Sequence, residues 1–278
     1  MSFDLDAYFE RIRLAERPAR DLEGLAAVQR AHRLAIPFEN LDIRLGRGIA
    51  IDSESVFAKL VTRRRGGYCF EQNRLFGDAL TALGFTVRPL LARVWFGATV
   101  IPGRTHTLLL VTIDGQDWIA DAGFGGSYSP VMPLIEGAEA TAPDGALFRL
   151  IRDHRGWVLL RNGNPATTDG RGTGDDWVEQ FSFTLDEVPQ IDLDMSNHWT
   201  STAPGTRFTD LVVVSIVLPH GFAALTDHAY RRHSAGEDSS GIIDDPRVYR
   251  LRLSMLFGID LGEDEVARLG LFGSASPN

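Results

Sequence analysis

The residue pattern predicts an α+β fold: helices first, then a small antiparallel barrel or strongly curled sheet, then a tail of strand and helix. Three observations carry this. Apolar residues recur at helical spacing as far as about residue 88. From about Thr86 the period changes to two, with turn signals at Pro102-Gly103, Asp114-Gly115, Arg155-Gly156 and Asn162-Gly163. Helical spacing then returns in DDPRVYRLRLSMLFGIDL and EDEVARLGLF near the end.

Taken in order, Asp4 caps a first helix that Pro18 is expected to stop, and Asp21 opens a second, LEGLAAVQRAHRLAI, that Pro37 stops. IPFENLDIRLG reads as loop and IAID (49–52) as a short strand. Ser53 to Thr62 suits a helix with Val56, Phe57, Leu60 and Val61 on its apolar face. Gly66-Gly67 breaks it, and a helix from about Cys69 to Leu83 follows. TVRPLLARVWFG, HTLLLVTI, QDWIADAG, LFRLIRDHRGWVLLRN and WVEQFSFTL read as strands. After Pro189 comes an irregular stretch, then the strand RFTDLVVVSIVL and one more around Phe222–Tyr230. No Pro- or Ser-rich linker divides the chain, so its regions are expected to pack as one body.

The 278 residues are 44% hydrophobic and 23% charged, which excludes a disordered or coiled-coil chain. A net charge of −9 leaves no general basic field for nucleic acid. The basic residues are arginines apart from Lys59. A single cysteine, Cys69, rules out a disulfide within the chain. The N-terminal stretch has no apolar h-region, and the longest apolar run, LVVVSIVL (211–218), is too short to span a bilayer. A cytoplasmic protein without membrane attachment is expected.

RRRGGYCFEQNRLF (63–76) is the most informative stretch. Gly66-Gly67 allows a tight turn directly before a helix, which puts Cys69 in its first turn. There the unpaired N–H groups and the helix dipole favour a thiolate, and Arg63, Arg64 and Arg65 add positive charge. The alternative is a buried cysteine packed beside Phe70. A nucleophile needs a base and an orienting group. With a two-residue turn at Asp114-Gly115, Leu108 opposes Asp121, and His106 becomes the diagonal neighbour of Asp121 on the same face. A three-residue turn would put them on opposite faces, and a strand-end histidine in solvent is the plain alternative. The other six histidines show no metal-ligand spacing, and one cysteine excludes a thiolate-rich zinc site, so no metal is expected. In DAGFGGSYS (121–129), Gly123, Gly125 and Gly126 could turn N–H groups toward an anion, or form a plain turn. Phe124 among them is a candidate aromatic wall.

The sequence resembles an arylamine N-acetyltransferase, on IPFENL (36–41), RGGYCFEQN (65–73), ARV (92–94), RTHTLLLV (104–111) and DAGFG (121–125), in that order along the chain. The later SFTLDEVPQIDLDMSNHWTSTAP, RF and FGIDL segments are similar more loosely. The resemblance implies a helical bundle (1–88) carrying the nucleophile, a β-barrel (89–198) carrying His and Asp, and an α/β lid (199–278), around a core similar to that of cysteine proteases. It implies Cys69 as the residue that takes acetyl from acetyl-CoA, His106 as its partner and Asp121 as the orienting carboxylate. Phe38, Val94 and Phe124 match positions that line the amine pocket, Phe208 is a further candidate substrate-binding aromatic near the cofactor mouth, Gly126 and Ser127 are candidate contacts to CoA, and Arg65 with Glu39 is a candidate ion pair near the site. The chain ends soon after FGIDL, so no CoA pocket from a long tail is expected. Implied partners are acetyl-CoA and a small aromatic amine or hydrazine, with a monomer or homodimer and no metal.

Three rival readings use the same residues. A cysteine hydrolase would pass the acyl group to water. An amide synthase would take another acyl thioester. A binding protein that kept the fold would form no acyl-cysteine.

Overall fold

The computed structural model describes residues 3–171 and 176–272. Five helices open the chain: α1 (Leu5–Ile12), α2 (Leu22–Ala35), α3 (Leu41–Arg44), α4 (Ser53–Phe57, continued by a π-turn over Ala58–Thr62) and α5 (Cys69–Ala82). Asp4, Asp21 and Asp52 cap α1, α2 and α4 by accepting an N–H three residues on. Pro18 does not end α1. Arg13 does, in the left-handed region at φ 58°, with its N–H turned back to the carbonyls of Phe9 and Glu10.

The period-two region forms an eight-stranded antiparallel sheet curled into a nearly closed barrel, in the order β5-β4-β3-β2-β9-β8-β7-β6. The strands are β2 (Thr86–Val94), β3 (His106–Ile113), β4 (Gln116–Ala120), β5 (Met132–Pro133), β6 (Glu139–Thr141), β7 (Leu147–Asp153), β8 (Gly156–Asn162) and β9 (Val178–Phe183). Asp114 and Gly115 both have positive φ (49° and 82°), the conformation of the tight hairpin turn, and Ile113 pairs with Gln116. Leu90, Leu108, Phe148, Leu150, Leu159 and Phe181 fill the barrel. On its outside, Leu109 and Val111 of β3 pack under Tyr8, Leu25, Val28, Leu75 and Phe76 of α1, α2 and α5.

A second sheet runs β1-β10-β11-β12-β13, over β1 (Phe38–Glu39), β10 (Val213–Leu218), β11 (Gly221–Thr226), β12 (Ala229–Ser234) and β13 (Glu237–Ile242). The remaining helices are α6 (Gln190–Thr202), α7 (Arg207–Asp210), α8 (Pro246–Phe257) and α9 (Glu263–Arg268). Phe38 pairs with Ser215 and also bridges to Gly67, so the IPFEN segment ties the C-terminal sheet to the start of α5.

Five further local expectations are corrected. IPFENLDIRLG is not loop throughout, because it holds β1 and α3. IAID forms no strand, since the Ile49 carbonyl is taken by the Asn197 side chain at 3.0 Å rather than by a neighbouring strand. The stretch after Pro189 is helix α6. Its large apolar residues Ile191, Met195 and Trp199 face outward while Asn197 and Thr200 are buried, so it carries no inward apolar stripe to read. RFTD is the helical turn α7, capped by Thr206, and the one strand expected around Phe222–Tyr230 is two, β11 and β12, with β13 following them. β13, EDSSGI, is exposed along its length and has no alternation.

Candidate active site

Cys69 is the first residue of α5. The Tyr68 N–H at the cap donates to Glu71 Oε2 at 3.0 Å, which fixes the chain entering the helix. Gly66 and Gly67 are needed for room, not for a turn with positive φ, which neither adopts. A Cβ at Gly66 would lie 2.3 Å from the Pro37 carbonyl oxygen, and one at Gly67 would lie 2.8 Å from Glu71 Oε2. The expected cationic cluster is also different. Arg63 and Arg64 are exposed, and Arg65 is bound by Glu39 Oε1 at 2.8 Å and Asp42 Oδ1 at 3.3 Å. The Arg65–Glu39 pair expected from sequence is thus present, within a buried ionic belt that the sequence did not reveal. The chain's only lysine, Lys59, bridges Asp42 and Glu71 at 2.8 Å each. Burial opposes its ammonium, but Glu71, Glu39 and Asp42 outweigh that and hold its pKa above the ordinary value.

The hairpin brings His106 and Asp121 together in the diagonal register. His106 Nε2 lies 2.7 Å from Asp121 Oδ2, and both side chains are buried. That contact leaves Nδ1 open; Cys69 lines the same cleft as His106, with its Sγ 3.7 Å from the Thr105 carbonyl. Burial works against the Asp121 carboxylate. The His106 charge and hydrogen bonds from His106, Asn73 Nδ2 (3.0 Å) and the Gly123 N–H (2.8 Å) nevertheless hold its pKa below the usual range. Burial, and next the Asp121 charge, push the Cys69 thiol up. An unpaired thiolate is therefore disfavoured here. For Cys69 to act as a nucleophile, His106 would have to take the thiol proton and form a thiolate–imidazolium pair.

The cleft has a volume of about 490 Å³. Phe38, Val94, Phe124, Phe208 and Gly126, all named from sequence, line it. Ser127 does not, which corrects its expected place beside a ligand: it is fully buried, its hydroxyl donates to Gln180 Oε1 at 3.2 Å, and its carbonyl accepts from Arg33. The loop glycines serve close packing. Gly123 lies against the Cys69 backbone, Gly125 against the Phe38 ring, and the Gly123 N–H points at Asp121 rather than at a ligand. Phe124 stands edge-on to the His106 ring, with centroids 5.2 Å apart. Among the described residues no group of three His, Cys, Asp or Glu could hold a metal ion, and no helix is long and apolar enough to cross a membrane.

Several site residues escaped sequence reasoning. Asn73, one turn after Cys69 on α5, donates to Asp121 and to the Thr107 carbonyl and accepts from the Ala122 N–H. Gln29 on α2 accepts the Asp121 N–H and donates to the Ser129 carbonyl. Arg33, four residues on, is fully enclosed and donates to the carbonyls of Ala122, Phe124 and Ser127, clamping the loop that follows Asp121. The one available signal was spacing: Cys69 and Asn73, like Gln29 and Arg33, share a helix face.

Gln72 donates to the Pro37 and Gly67 carbonyls and accepts from His32 Nε2 at 2.6 Å, while His32 Nδ1 meets the Tyr8 hydroxyl at 2.9 Å. One neutral tautomer satisfies both contacts, and burial lowers the His32 pKa from 6.5 to about 3. Between those values the unfolded chain binds the proton and the native chain does not, so stability falls as pH drops, by about 1.4 kcal/mol per unit from this group. Urea unfolding at pH 7.5 and pH 5 is expected to show a smaller acid loss in His32→Gln than in the wild type. An equal loss in both would mean that His32 is not the group responsible.

A family model described as an N-acetyltransferase matches residues 21–266. The chain is 36% identical to the arylamine N-acetyltransferase of Mycolicibacterium smegmatis over 277 residues, covering 95% of this chain and 94% of that protein. It is 39% identical to the Escherichia coli K12 arylamine N-acetyltransferase over 219 residues, covering 78% and 74%. Its fold superposes on the arylamine N-acetyltransferase of Salmonella typhimurium with a TM-score of 0.87 at 32% identity, over 95% of this chain and 97% of that one. On the Mycobacterium marinum arylamine N-acetyltransferase in complex with CoA, the TM-score is 0.86 at 30% identity, over 96% and 98%.

Proposed function

The chain belongs to the arylamine N-acetyltransferase family, and we propose that it carries acetyl from acetyl-CoA, through Cys69, to an arylamine, an arylhydrazine or an N-hydroxyarylamine. The observation that carries this is the 2.7 Å His106–Asp121 contact on the cleft that Cys69 also lines, at the start of a helix. The thiol proton passes to His106 Nδ1, and the thiolate attacks the thioester carbonyl. N–H groups of the first turn of α5 stabilise the tetrahedral oxyanion. The C–S bond to CoA breaks, the imidazolium protonates the departing thiolate, and acetyl-Cys69 remains. The amine attacks this second thioester and gives its proton to His106. Collapse then releases the amide and restores the thiolate–imidazolium pair.

An aromatic amine is uncharged at neutral pH, so it enters an apolar cleft without the desolvation cost of an ammonium ion. Phe38, Val94, Phe124 and Phe208 suit that role, and Gly126 is the contact proposed for CoA. In this reading residues 1–88 supply the nucleophile, 89–198 the His–Asp pair and 199–278 the cover. The protein works in the cytoplasm as a monomer or homodimer, without a metal. Initial rates with both substrates varied are expected to give parallel double-reciprocal lines. Intersecting lines would mean direct transfer in a ternary complex.

A further inference from the structure

The mouth of the cleft carries two arginines that share one carboxylate. Asp169 is buried, its side chain 2% exposed. It accepts from Arg171 Nε at 3.0 Å on Oδ1 and 2.8 Å on Oδ2, and its Oδ2 lies 3.3 Å from Arg207 Nη2. Both arginines line the cleft and are about a quarter exposed. The carboxylate thus lies inside as a brace, and the guanidiniums face the opening. Burial and then the Arg171 charge press the Arg207 pKa below its ordinary value, in spite of Asp169 and Asp227. Asp210 also borders the mouth but is exposed, where water and salt screen it.

Arg171 is held in place. Its guanidinium lies 4.7 Å above the Phe96 ring, and Nη1 donates to the Phe96 carbonyl at 3.3 Å. It crosses Gly126, where a Cβ would sit 2.9 Å from Nη2 and 3.2 Å from the Phe124 ring. Phe124 in turn touches His106. Phe124 therefore reaches from the imidazole to the Gly126 position that the guanidinium crosses.

We propose that Arg171 and Arg207 form an oxyanion subsite at the cleft mouth, which holds the acidic group of a ligand whose other end reacts at Cys69. This rests on the acyl-transfer reading above. Two ligands of that reaction carry the required chemistry, an aromatic amine bearing a carboxylate and CoA with its phosphates. The place of Arg171 over Gly126, two residues after the Phe124 that touches His106, favours the first, because the pantetheine arm places the phosphates far from the thioester. The arginines then discriminate acidic from neutral acceptors, and Gly126 is glycine because Arg171 needs the space.

The test is ligand-observed NMR titration of the unacylated wild type, Arg171→Met, Arg207→Met and Arg171→Lys. The probes are two charged and neutral pairs, 4-aminobenzoate against 4-aminobenzamide and CoA against pantetheine. The affinity ratio of aminobenzoate to aminobenzamide is expected to fall about tenfold in either Met variant, the scale of a partly solvated charge-assisted hydrogen bond, with partial recovery in Arg171→Lys. A fall confined to the CoA–pantetheine ratio would keep the oxyanion subsite and assign it to phosphate. Equal weakening of charged and neutral members in both pairs overturns the subsite. The acyl-transfer reading fails separately, if acetyl-CoA leaves no acetyl group on wild-type Cys69.

Discussion

Asp121→Asn is expected to slow acetylation of Cys69 by about 10³–10⁴-fold, the scale seen when an orienting aspartate in such a triad is made an amide. The carboxylate accepts from His106 Nε2 at 2.7 Å and so leaves Nδ1 unprotonated, the form the proposed proton transfer from Cys69 requires. An asparagine that keeps its contacts to Asn73 and Gly123 turns its amide N–H toward Nε2. The ring then accepts there, carries its proton on Nδ1, and can no longer take one from Cys69. The substitution also removes the charge that balances the His106 imidazolium in a site where solvent contributes little. Single-turnover acylation, followed by release of CoA, measures the loss. A change of less than tenfold would mean that Asp121 does not set the tautomer. Because the Asp121 pKa is depressed in the fold, its contribution to stability is present above the ordinary carboxylate range and is lost as pH falls through the folded value.

Gly123→Ala is expected to remove most activity although it adds only one methyl group, to a residue whose N–H is turned to Asp121. Its Cβ would lie 2.6 Å from Asn73 Nδ2 and 2.8 Å from both the Cys69 Cα and carbonyl oxygen. Two of those three atoms are helix backbone and cannot rotate away. The first turn of α5 must shift relative to the β3–β4 hairpin, and the Asn73–Asp121 bond is strained with it. A displacement near 1 Å at the reacting atoms costs about 100-fold in rate, and overpacking of this kind costs about 1–3 kcal/mol in stability. Comparing acylation rate and Tm for Gly123→Ala with Gly241→Ala, where φ is ordinary and the added Cβ meets nothing within 4 Å, separates the two effects. Near wild-type acylation in Gly123→Ala would show that the Cys69 backbone tolerates the shift.

The elements that position the triad were readable because their signals are local. Asp114-Gly115 sets one hairpin register, and that register alone puts His106 beside Asp121. Gly66-Gly67 and the apolar run after it place Cys69 at a helix start. Other features were not readable because they depend on distant partners. Lys59, Asp42 and Glu71 lie on three separate segments, and no local pattern states that they meet. Arg33 looks like one of many surface arginines until the loop at 122–127 folds onto it. Helix α6 hides for the opposite reason: it shows Ile191, Met195 and Trp199 to the outside, packs only Leu193 inward and buries Asn197 and Thr200, so its spacing misleads. The glycines at 66, 67, 123 and 126 were noticed for turns or anion binding, whereas their common property is space for a neighbouring group.

Acyl transfer through Cys69 is tested most directly by intact-protein mass spectrometry after brief mixing with acetyl-CoA in the absence of an amine. The wild type is expected to gain the mass of one acetyl group, to lose it on addition of an arylamine, and to gain none in Cys69→Ala or His106→Ala. An unmodified wild-type protein that is folded and still converts substrate, or an adduct that persists in Cys69→Ala, would contradict the assignment.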